Sequence, residues 1–124
     1  MTNQVLLYLG SFLLFLWGVA HLFAAESVVK GFGDISLDNR RIITMEWIVE
    51  GLALIFIAAV VASVTYHDHA SPISRTVYWV SSAMLNILSV VSLFTGFKVN
   101  FLPFKLCPII FTTASVLIVV GAYV

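Results

Sequence analysis

Four apolar runs, separated by three short polar or turn-forming stretches, set the pattern of this chain. They cover about Val5–Ala24, Ile42–Tyr66, Ile73–Thr95 and Phe104–Val124. Each is close to the roughly 20 residues that a helix needs to cross a hydrocarbon core. Lipid offers backbone groups no hydrogen-bond partner, so spanning segments of this kind must be helical. The pattern predicts an all-α integral membrane protein: a single domain over residues 1–124, built as an antiparallel bundle of four transmembrane helices with short loops. The first run is too long for the apolar core of a signal peptide and lacks a basic segment before it, so it is expected to stay as a helix.

Local residues mark the helix ends. Ser71 followed by Pro72 reads as an N-cap with proline in the first turn. Asp38 or Asn39 is the expected cap of the second helix, where Asp also complements the helix dipole.

Composition supports the membrane reading. The 124 residues are 61% hydrophobic and 10% charged, against about 45–50% and about 25% in soluble domains. Net charge is zero and the six basic residues are scattered, which excludes a nucleic-acid surface. Lys30, Arg40, Arg41, Lys98 and Lys105 lie in or beside the first and third connections, while only Arg75 flanks the middle one. The positive-inside rule then places the first and third loops in the cytoplasm and both termini on the other side. Tyr66, Tyr78, Trp79 and Tyr123 fall where an outer interfacial belt is expected. Cys107 stands alone, so neither an intrachain disulfide nor a zinc site built from several cysteines is available, and it reads as a buried apolar residue.

Against this background the intramembrane polar residues stand out. Glu50 lies roughly 14 Å inside the Arg40–Arg41 pair, near mid-membrane. Intramembrane carboxyls are costly and face a bundle interior, a cavity or a partner. Glu46 is one turn earlier on the same face. The first helix carries Ser11, Gly18 and His21 on one face, the third repeats Tyr78, Ser82, Asn86 and Ser89, and the fourth offers Thr112 and Thr113. Depths counted from the helix ends give two tiers: His21 with Glu46, and Glu50 with Asn86 and Thr112.

The candidate ligand or proton site is therefore His21, Glu46, Glu50, Asn86 and Thr112. His21, Glu46 and Glu50 are its possible metal ligands, since imidazole and carboxylates suit divalent ions or proton relays. The alternative is that the same groups serve only as hydrogen-bonded packing between helices. His67–Asp68–His69 reads as a solvated loop. No cofactor is specified: His21 alone offers one axial ligand to a haem, and no Cys-x-x-Cys-His attachment motif is present. No nucleophile elbow or phosphate-binding glycine loop occurs.

Three functions remain in competition. The first is a small membrane protein with a buried polar His/Glu/Asn site for a metal, a proton or a small ligand, working as a homo-oligomer. The second is a non-catalytic accessory subunit of a larger membrane complex. The third is a quinone- or haem-linked membrane oxidoreductase. In size and helix count the chain resembles small bacterial membrane proteins of the DoxX-like kind, a likeness without a shared motif that implies no site residues.

Overall fold

A computed structural model describes residues 1–124 and contains four α-helices, one short 3-10 turn and no strand: α1 (Thr2–Lys30), α2 (Leu37–Asp68), α3 (Pro72–Phe94), the turn Gly96–Lys98, and α4 (Leu102–Tyr123). All four helices are long and apolar enough to cross a membrane. The first two are longer than their apolar runs. At about 1.5 Å per residue, the six residues of α1 beyond Ala24 add roughly 9 Å of helix, and the polar connection shrinks to residues 31–36. The second helix is capped by Ser36, whose hydroxyl accepts from the Asn39 N–H at 3.2 Å, rather than by Asp38 or Asn39. Ser71 caps α3 as expected, accepting from the Ser74 N–H at 3.1 Å with Pro72 in the first turn.

Neighbouring helices are sequential. α1 packs on α2 and α4, α4 packs on α3, and α1 and α3 lie diagonally opposite. The α2–α3 seam is the loosest of the four. Two glycine crossings fix the tight seams. A Cβ on Gly18 would lie 2.7 Å from the Gly51 carbonyl oxygen, and one on Gly51 would lie 2.8 Å from the Gly18 oxygen. Gly121 approaches α1 in the same way, with the Asn3 carbonyl and Leu7 within 2.9 Å of its ideal Cβ. Backbones that touch like this gain close packing where lipid supplies no hydrophobic drive between helices. Two turns from Gly18, the Ser11 hydroxyl donates 2.6 Å to the Ala58 carbonyl and locks the α1–α2 register.

The core runs through Leu7, Leu14, Leu54, Val61, Leu85, Phe111 and Ile118, with Cys107 at one end. Tyr78 belongs here and not to an interfacial belt: it is fully buried and its hydroxyl is 2.9 Å from Thr65 Oγ1. Its partners Ser82 and Ser89 are buried too, so most of the polar stripe of α3 turns inward. Trp79 and Tyr123 remain exposed and pair through the indole N–H and the phenol oxygen.

The first and third loops meet at one end, where Gly31 and Phe32 line a hollow with Phe101 and Phe104. At the other end Gln4 hydrogen-bonds His69 at 3.0 Å. Five of the six basic residues thus gather at one end. Reporters fused at Val124 and between residues 69 and 71 are expected to behave as non-cytoplasmic, and one inserted between residues 31 and 36 as cytoplasmic. A cytoplasmic Val124 would contradict that orientation.

Candidate functional site

The Gly18–Gly51 contact delivers the site. His21 is one turn beyond Gly18 on α1, and Glu50 precedes Gly51 on α2. The crossing brings His21 Nε2 to 3.6 Å from Glu50 Oε1, with His21 only 3% exposed and the Glu50 side chain 37% exposed. The other ring nitrogen, Nδ1, lies 2.8 Å from the Trp17 carbonyl oxygen. A carbonyl can only accept, so Nδ1 carries a proton and donates it there. In the neutral ring, Nε2 must then be the lone-pair nitrogen, and it faces Glu50.

Two tryptophans hold the imidazole. Trp47 stacks on it at 4.7 Å between centroids, and Trp17 meets it edge-on at 5.6 Å. Phe104 of α4 packs edge-on against Trp47 at 5.3 Å. Pro108, four residues on, has no N–H to give the Phe104 carbonyl, so that carbonyl lacks its usual helical donor.

Beside the pair lies a cavity of about 290 Å³ that all four helices line: His21, Trp47 and Glu50 on one side, Leu88, Val91 and Ser92 on another, and Phe104 and Cys107 across from them. It lies toward the end that carries the first and third loops, where Thr95 and Gly96 complete its wall. Three of the four buried side-chain polar atoms without a hydrogen bond belong to this cluster: Trp17 Nε1, His21 Nε2 and Trp47 Nε1. The fourth is Ser82 Oγ. A buried polar group left unpaired costs about 1–3 kcal/mol, so this cluster is where a further hydrogen-bonding group would contribute most.

The residues expected at the site are only partly brought together. His21 and Glu50 meet, across the two expected tiers. Glu46 does not join them, because Trp47 takes the position against His21, and the roughly 100° step between adjacent helical residues turns Glu46 to the exposed side. His21, Glu46 and Glu50 therefore do not converge, and no group of three His, Cys, Asp or Glu side chains is placed to hold a metal ion. Two ligands fall short of the three or four protein ligands that zinc sites use.

Asn86 and Thr112 sit on the α3–α4 seam instead. The Asn86 amide donates to the Ser82 carbonyl and to Ser115 Oγ, both at 2.9 Å, and Thr112 Oγ1 lies 2.8 Å from Ser89 Oγ. The Ser115 and Thr112 contacts fasten α3 to α4, while the Ser82 contact stays within α3. A double-mutant cycle between Asn86→Leu and Ser115→Ala is expected to give a coupling of about 0.6 kcal/mol. The pH response of His21 should be untouched; a changed response would place Asn86 in the site.

Trp17, Trp47, Gly51 and Phe104 are site residues that sequence reasoning did not single out. Their signal is weak: Gly51 beside a mid-helix glutamate, and a tryptophan one turn before each member of the pair. Comparison of the chain with protein-family models, curated proteins and solved structures finds no match.

Proposed function

We propose that this chain is a multi-pass membrane protein whose working element is a single exchangeable proton shared by His21 and Glu50, and that this proton governs binding of a small ligand in the adjoining cavity. The observation that carries the reading is the fixed tautomer of His21: its Nδ1 is committed to the Trp17 carbonyl, which leaves the Nε2 lone pair opposite a carboxyl group at 3.6 Å. One proton would satisfy both once the side chains close from 3.6 Å to hydrogen-bond distance. It sits on Glu50 as an acid donating to Nε2, or on His21 as an imidazolium paired with a carboxylate, and either way the pair is neutral. Loss of that proton leaves one negative charge beside a cavity that no Lys or Arg lines. Proton occupancy and ligand occupancy are then linked, because each changes the charge and hydrogen bonding that the other meets.

The connections at 31–36, 69–71 and 95–101 leave little mass outside the helices, which suits the accessory-subunit alternative. The unpaired indole N–H of Trp47 at the cavity wall favours the ligand site. A haem reading is disfavoured by Nε2 facing Glu50 and by a cavity wall that holds no second histidine. A narrow four-helix interior supports assembly as a homo-oligomer or beside a larger partner.

The test is proton counting on purified, ligand-free protein. His67 and His69 are replaced by Gln, and Trp79 by Phe, so that Trp17 and Trp47 report on His21. Among the protons released, only one per chain is expected to leave in step with the fluorescence. A fluorescence change in two separate steps, or none through the titration, would contradict the shared proton.

A further inference from the structure

We infer that the cavity takes a neutral, lipophilic molecule with a hydroxyl head, of single-ring phenol size, reaching it from the lipid through the α2–α3 seam. This rests on the one-proton reading of His21 and Glu50 and adds the chemical class of the ligand. Once that proton satisfies His21 and one oxygen of Glu50, two capacities remain unmatched at the cavity wall. One is the indole N–H of Trp47, buried and without a partner, which only donates. The other is the second carboxyl oxygen of the partly exposed Glu50, which accepts. A hydroxyl answers both, accepting from the indole and donating to the carboxyl. An ammonium has nothing to accept with, an ether or ketone has nothing to donate, and an anion meets the acidic pair.

The rest of the wall is apolar or weakly polar, with Leu88, Val91, Phe104 and Cys107 to enclose a hydrocarbon body. About 290 Å³ is just below the roughly 300–1,000 Å³ of drug-sized sites and equals the share of about ten waters. The ligand is therefore small. Access follows from the packing. The seam between α2 and α3 is the loosest in the bundle, and a second, mostly apolar hollow of about 340 Å³ lies along it between Phe56, Val60, Val80 and Met84. Glu50 keeps its partial exposure on the same side of the bundle, where Leu88 and Val91 of α3 share its cavity.

Calorimetric titration of the detergent-solubilised protein with 4-propylphenol, propylbenzene and phenyltrimethylammonium tests this. The phenol should bind saturably at one per chain and about tenfold more tightly than propylbenzene once micelle partitioning is subtracted. Trp47→Phe, which keeps an aromatic ring and removes the N–H, should shrink that difference to what the Glu50 carboxyl alone supplies. Equal binding of phenol and propylbenzene in the parent protein, or a preference for the ammonium, would overturn the inference and needs no variant to be seen. Proton counting on ligand-free protein keeps the two levels apart. A single shared proton without hydroxyl preference overturns the ligand class alone. A hydroxyl preference without a shared proton overturns the reading beneath it.

Discussion

Glu50→Gln is expected to fold and pack like the parent while the pH dependence of the Trp17 and Trp47 fluorescence changes to that of His21 protonating alone. The glutamine amide keeps the size of a protonated acid and can donate to His21 Nε2, as the acid does. It has no proton to share with His21, so the coupling between the two groups disappears. Glu50→Ala removes the donor as well, leaves Nε2 buried and unmatched, and should lower thermal stability by about 1–3 kcal/mol. The contrast between the two variants separates a working site from packing. If Glu50→Gln retained the full pH response, the titrating group would lie elsewhere. If neither variant differed from the parent, Glu50 would have no role in stability or in protonation.

The second large effect belongs to the glycine crossing. Gly51→Ala places a methyl 2.8 Å from the Gly18 carbonyl and 3.0 Å from His21 Cβ, and Gly18→Ala places one 2.7 Å from the Gly51 carbonyl and 2.8 Å from Ile55. The obstacles at 2.7 and 2.8 Å include main-chain oxygens, so the helices themselves must part. Alanine favours a helix over glycine by about 0.8–1 kcal/mol, and that gain is expected to be outweighed by overpacking at the upper end of its roughly 1–3 kcal/mol range. Both variants should unfold earlier and both should weaken the His21–Glu50 coupling, since the crossing sets their distance. Gly96→Ala is the control: its nearest neighbour, Phe104, is at an ordinary 3.5 Å. Thermal unfolding in detergent orders the three. Stability of Gly51→Ala equal to that of Gly96→Ala would mean that the α1–α2 contact is looser than described.

The helices were legible because apolar runs of membrane length have one backbone solution, and the Ser71–Pro72 cap because its chemistry is local. The burial of Cys107 followed from its apolar context and that of Ser82 and Ser89 from helical spacing, whereas Asn86 of the same stripe stays exposed and Tyr78 is core rather than belt. The pairing within the site was not legible in the same way. Depth counted from Ala24 set His21 level with Glu46, whereas α1 continues to Lys30 as amphipathic helix beyond its apolar run, and the register is fixed by Gly18 against Gly51. A register between two helices is a property of both sequences together, and hydropathy carries none of it. Asn86 was assigned to Glu50 on depth alone. It bonds Ser115 because α3 lies closely against α4 and only loosely against α2. Trp47 reads as one more apolar residue until its ring is seen stacked on an imidazole.

The shared proton is tested most directly by nitrogen NMR of histidine-labelled protein in lipid, with His67 and His69 replaced by Gln so that His21 alone is observed. Nδ1 is expected to stay protonated throughout the titration, bonded to the Trp17 carbonyl. Nε2 should change only in step with the Glu50 carboxyl carbon, and in Glu50→Gln its titration should separate from any carboxyl signal. A neutral ring that carries its proton on Nε2, or a ring that titrates while the Glu50 carboxyl does not respond, would contradict the pair.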